Sequence, residues 1–110
     1  FRYGDAVDEA LVSRQPDAVV AVLEELSKRQ GGLVQALSNR DEETLEPLLA
    51  FTARYVTRPR YASVLIPVAE LLVDIYGSYV GQSEVIDESF EKLRRAVREE
   101  CRVRRTLAGL

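Results

Sequence analysis

Apolar residues return every three or four positions along most of the chain, a spacing that predicts helices and no sheet. Ala6, Val7, Ala10 and Leu11 share one face of a first short helix over residues 3–13. A second opens at Pro16, where the missing N–H would be unpaired anyway, and Asp17 suits the positive end of the helix dipole. Val19, Val22, Leu23 and Leu26 form its stripe. Lys28 and Arg29 lie in its last turn, and Gly31 and Gly32 are both free to take the left-handed conformation that ends a helix. A brief third helix passes through Leu33, Ala36 and Leu37. The fourth begins near Asp41, with Asp41, Glu42, Glu43 and Glu46 around its positive end. Its stripe is Leu45, Leu48, Leu49, Thr52, Tyr55 and Val56, and Pro47 predicts a local irregularity because it lies deeper than the first turn.

The fifth helix, residues 61–79, departs from this pattern. Val64, Leu65, Ile66, Val68, Ala69, Leu71, Leu72, Val73, Ile75 and Tyr76 point in every direction around it. A helix that is apolar on all sides is expected to be buried on all sides. Pro67 cannot bond to the Ser63 carbonyl, so the helix should bend there or start late. The sixth and longest helix, residues 83–107, has Ser83 as its N-cap. Ile86, Phe90, Leu93, Val97 and Cys101 make one narrow stripe along it. At 1.5 Å per residue it spans roughly 36 Å and should overhang a domain of this size. The expected architecture is all-α: a compact bundle or short stack of about six helices with a long C-terminal helix.

Composition narrows the chemistry. The 110 residues make one domain, and 46% hydrophobic with 30% charged residues is globular composition. There is no histidine, which removes histidine acid–base catalysis, Ser–His and Cys–His pairs and nearly all zinc sites. Cys101 is the one cysteine, so no internal disulfide forms. The net charge of −3 is unlike that of a domain built mainly to grip nucleic acid. The longest apolar-rich run, residues 64–76, contains Glu70 and Asp74 and falls short of the roughly 20 residues a membrane span needs. No charged leader with an apolar core is visible. The chain has no methionine, which places Phe1 inside a longer protein or after a removed segment.

The remaining candidates are weighed by geometry. Asp41, Glu42, Glu43 and Glu46 lack the convergent loop that a cation needs, and read as a dipole complement on a solvated surface. Glu70 and Asp74, four apart, read as a polar strip that reaches solvent or pairs with an arginine. Cys101 reads as a small core residue despite Arg98, Arg102 and Arg105 nearby. Gly77 and Gly81 mark a helix exit and a turn. Arginine outnumbers lysine 13 to 2, and Arg94, Arg98, Arg102 and Arg105 share one face of the last helix. Such a stripe is able to contact phosphates, although a solvated face pairing with acidic neighbours is the plainer reading. Arg58, Arg60 and Tyr61 form the only other basic patch with an aromatic.

Several stretches together carry a resemblance. They are Phe1-Arg2-Tyr3-Gly4-Asp5-Ala6, Val22-Leu23-Glu24-Glu25-Leu26, Arg40-Asp41-Glu42-Glu43-Thr44-Leu45-Glu46-Pro47-Leu48-Leu49, Asp74-Ile75-Tyr76-Gly77 and Gly81-Gln82-Ser83. In this order they resemble the C-terminal helical domain of the WD-repeat family of U-three small nucleolar RNA-associated protein fifteen, over essentially the whole chain. The resemblance implies a parent with an N-terminal WD-repeat propeller that is absent here. It also implies membership of the UtpA (t-UTP) subcomplex of the small-subunit processome in the nucleolus of the nucleus, which acts on precursor ribosomal RNA. The implied partners are the helical C-terminal domains of other UtpA subunits, with RNA met mainly through the whole complex. The family brings no catalytic residues.

The sequence therefore predicts a scaffold domain and no enzyme, with no cofactor, metal, membrane or small-molecule substrate. Its expected protein interface is Tyr61, Tyr79, Val103 and Leu107. The alternative is an RNA-binding module that uses Arg94, Arg98, Arg102 and Arg105.

Overall fold

Proline, glycine and one aspartate set the helix boundaries. In the computed structural model the backbone is described for residues 3–79, 81 and 83–108, and side chains for 3–78, 81 and 83–103. The elements are α1 (Tyr3–Val12), α2 (Pro16–Ser27), α3 (Gly32–Leu37), α4 (Glu42–Tyr55), α5 (Pro59–Tyr76) and α6 (Glu84–Ala108), with a 3₁₀ turn at Gly77–Tyr79. No strand occurs among the described residues. Pro16 and Pro59 stand at the first positions of α2 and α5. Asp41 caps α4, its carboxylate accepting from the Thr44 N–H at 2.9 Å and from the Thr44 hydroxyl at 2.9 Å. Those two donors hold the Asp41 carboxyl below the usual carboxylate range. Ser83 is the residue before α6: its carbonyl accepts from Asp87 N–H at 2.9 Å, and Asp87 reaches back to Gly81 N–H at 2.8 Å.

The two adjacent glycines do different things. Gly31 is left-handed, with φ of 70°. Gly32 is the first residue of α3, and a Cβ there would lie 2.5 Å from the Leu26 carbonyl oxygen and 3.1 Å from Arg29 Cβ. Gly32→Ala should therefore destabilise the domain by about 1–3 kcal/mol, although helix propensity alone favours alanine by about 1 kcal/mol. Urea unfolding checks this, and an unchanged or higher midpoint would refute the close contact.

The core runs through every helix. Val7, Leu23, Leu37, Leu48, Leu49, Leu65, Leu72, Phe90 and Leu93 are fully buried. Thr52 is buried as well, and its hydroxyl donates to the Leu48 carbonyl at 2.8 Å. The Cα radius of gyration is 13.6 Å. Helix α6 lies against α4 and α5, while α1, α2 and α3 pack on one another and on α4 and α5.

One expectation for α5 is overturned and another is narrowed. Helix α5 is not buried all round: Tyr61, Ala62, Leu65, Val68, Ala69, Leu72 and Tyr76 face the core, whereas Ser63, Pro67, Glu70 and Asp74 form an exposed stripe at spacings of four, three and four. Its other apolar residues flank the core face and are half-buried. Pro67 does not delay the helix, which begins at Pro59 and continues through it. Ser63, whose carbonyl Pro67 leaves without a helix partner, lies on the exposed stripe, open to solvent. Pro47 likewise sits inside an unbroken α4 on an exposed position.

Candidate functional site

A polar clamp fixes the frame on which every surface is carried. The Arg40 side chain is only 4% exposed and donates to the Asp8 carboxylate at 2.6 Å. It also donates to the carbonyls of Ala36 at 3.1 Å, Thr44 at 3.2 Å and Gly4 at 3.3 Å. Its backbone N–H donates to the Tyr76 hydroxyl at 2.9 Å, and that hydroxyl donates to the Leu37 carbonyl. Residues from α1, α3, α4 and α5 thus meet at one guanidinium and one phenol. Arg40 opens the longest stretch of the resemblance, and its task in the structure is to hold helices together. No sequence pattern announces this, because its partners lie up to 36 residues away.

The second half of α6 was expected to carry the contacts. Arg94 is half-buried and Arg98 exposed, and both line a groove of about 390 Å³ with Glu70 and Asp74 of α5. Both carboxylates are exposed, and among the described residues none of these four pairs within 4.0 Å, so the acidic strip reaches solvent as the sequence allowed. Arg102 is exposed and donates to Glu99 at 2.6 Å, and Arg95 pairs with Glu91 at 3.3 Å. The Arg102 hydrogen bond holds the Glu99 carboxyl below its ordinary range. The arginine face is therefore partly neutralised from within its own helix. The side chain of Arg105 lies outside the described residues.

Of the expected interface residues, Val103 is exposed, at 39%. The side chains of Tyr79 and Leu107 lie outside the described residues. Tyr61 is buried at 8% exposure, so it serves the core and not an open surface. Its hydroxyl donates to Asp17 at 2.5 Å, which raises the phenol above its ordinary range, and its ring meets Tyr55 edge-on at 6.0 Å. Asp17 also pairs with Arg60 at 3.4 Å. Cys101 is a half-buried free thiol. Among the described residues no three histidine, cysteine or carboxylate side chains converge to hold a metal ion. No helix among them is long and apolar enough to cross a membrane.

The Arg58, Arg60 and Tyr61 patch adjoins a larger feature through Tyr55, whose ring meets both Arg58 and Tyr61. At the meeting of the α1–α2 turn with α4 lies a groove of about 490 Å³. Val19, Leu11 and Phe51 form its apolar floor, with Arg14, Arg54 and Tyr55 around it. The Arg54 and Arg58 guanidiniums lie over the Tyr55 ring at 5.4 and 5.1 Å, and Phe51 packs against that ring at 4.8 Å. Sequence spacing missed this groove because its walls come from separate helices.

Comparison with known proteins agrees with the resemblance. The chain matches, over residues 1–110, a family described as "UTP15 C terminal". It is 40% identical over 111 residues to a "U3 small nucleolar RNA-associated protein 15 homolog" of Mus musculus, covering 97% of this chain and 21% of that protein. A "U3 small nucleolar RNA-associated protein 15" of Schizosaccharomyces pombe is 39% identical over 103 residues, covering 94% and 21%. A Gallus gallus homolog is 45% identical over 85 residues, covering 77% and 16%. The chain thus spans about a fifth of the length of these relatives.

Proposed function

The chain belongs to the UTP15 C-terminal family, and from that premise we propose that it is a non-catalytic scaffold domain that holds its parent protein in a ribosome-biogenesis complex. The complex is UtpA, the t-UTP part of the small-subunit processome, and its place is the nucleolus. The partners are helical C-terminal domains of other UtpA subunits. Precursor ribosomal RNA is engaged, for transcription and processing, by the assembly as a whole.

The observation that carries this reading is the second half of α6. Val97 is the last apolar side chain on it that packs against the core among the described residues, yet the helix continues to Ala108 and Val103 remains exposed. Glu100 is still buried and Cys101 half-buried, and the seven residues beyond Cys101 extend the helix by roughly 10 Å. The rival reading, RNA held by Arg94, Arg98, Arg102 and Arg105, is disfavoured by the Arg102–Glu99 pair and by the net charge of −3.

The test is Val103→Asp combined with Leu107→Asp in the full-length parent. A change at an exposed site moves stability by about 0.5 kcal/mol, so on the interface reading the melting temperature of the domain should shift by no more than about 4 °C. Co-purification of partner subunits should fall about tenfold or more, the cost of losing an interface anchor. Unfolding of the domain would assign both residues to the core. Intact assembly, or sub-micromolar RNA binding that survives 0.15 M salt and is lost in Arg94→Glu/Arg98→Glu/Arg102→Glu, would overturn the scaffold assignment in favour of RNA.

A further inference from the structure

We propose that the groove between the α1–α2 turn and α4 is a second docking surface, and that it takes an acidic amphipathic segment of a partner protein. The proposal rests on the scaffold reading and names the chemistry of a partner. None of the nine residues lining the groove is a carboxylate. Among the described residues, Arg14, Arg54 and Arg58 have no carboxylate within 4.0 Å, in contrast to Arg40, Arg60, Arg95 and Arg102. In a chain of net charge −3 this is a concentrated positive rim.

The floor decides what kind of anion fits. Leu11, Val19 and Phe51 offer aliphatic and aromatic surface. Apolar side chains bury well there, whereas phosphates and riboses do not. The Tyr55 ring is already occupied by Arg54 and Arg58, so it does not serve as a platform on which a base stacks. Stacking on a ring leaves the edge of a guanidinium free, and that edge matches a carboxylate with two parallel hydrogen bonds. Arg and Tyr are also the residue types that anchor protein interfaces. A helix or extended segment that places Leu, Ile or Phe on the floor and Asp or Glu against the rim satisfies both halves of the groove.

The experiment uses the full-length parent in its purified assembly, with a benzophenone-bearing amino acid substituted at Ala50, which is exposed and lines the groove. The expected product is a crosslink to a protein segment in which Asp or Glu flanks large apolar residues. Arg14→Glu combined with Arg54→Glu should lower the crosslink yield about tenfold, and reversing the partner's carboxylates to Arg should restore it. Both arginines are exposed, and an unchanged melting temperature of the double variant confirms that folding is intact. A crosslink into RNA, into a second copy of the chain or into a segment without carboxylates overturns the proposal. So does an absent crosslink, or a yield indifferent to the charge reversal. The scaffold reading fails separately, if the assembly forms unaltered when the whole domain is deleted. An assembly that needs the domain but gives no such crosslink removes only the groove.

Discussion

Arg40→Ala is expected to lower the unfolding free energy by about 3 kcal/mol, among the largest losses from any single truncation in this domain. The side chain is 4% exposed, and five acceptor contacts depend on this residue: one carboxylate, three carbonyls and, through its backbone, the Tyr76 hydroxyl. Only the backbone contact survives truncation. Breaking a buried pair commonly costs about 3–5 kcal/mol because the remaining charge is stranded. Here Asp8 is 39% exposed and recovers some water, which places the value at the lower end. Arg40→Lys should recover little, since an ammonium lacks the planar fork that reaches Asp8, Ala36, Thr44 and Gly4 together. For a domain of this size the melting temperature should fall by roughly 15 °C. A fall below about 4 °C, equivalent to less than 1 kcal/mol, would mean that the clamp is ornamental.

Phe90→Ala should cost about 3–5 kcal/mol, by loss of burial and by the cavity left behind. Phe90 is 1% exposed and sits between Ile86 and Leu93, the other buried apolar residues that dock α6. The effect should also be local. Amide exchange should accelerate most in α6, while α1 to α3, which do not depend on Phe90, keep more of their protection. Uniform acceleration across all six helices would show instead that α6 is a full member of one cooperative unit.

Helix identity was legible because its signals are local. Pro16 starts a helix by its ring, Gly31 turns the chain into α3 by its positive φ, and Asp41 caps one with its own side chain, each within a few residues. Burial was less legible. The sequence of α5 is apolar around its whole circumference, and only the placement of its neighbours leaves Ser63, Pro67, Glu70 and Asp74 to solvent. Tyr61 looked like an interface aromatic because nothing near it in the sequence marks Asp17, 44 residues earlier, as the partner of its hydroxyl. The Arg40 clamp and the Arg14–Arg54 groove escaped for the same reason, since both are made by residues that meet only once the chain is folded. Arg58 and Arg60 were visible as a basic patch; that Arg54 shares the Tyr55 ring with Arg58 was not.

The two ways the helices are held have unequal temperature responses. The clamp that joins α1, α3, α4 and α5 is ionic and hydrogen-bonded, whereas α6 is seated mainly by Ile86, Phe90 and Leu93, with the Ser83–Glu42 hydrogen bond at its first turn. Apolar burial weakens as water is cooled, and polar contacts do not share that loss. All six helices share the apolar core, but only α1, α3, α4 and α5 carry the clamp besides, so chilling should loosen the last helix before the rest. A preparation of the assembly that is stable at ambient temperature should shed contacts made through α6 in the cold room while the clamped body stays folded.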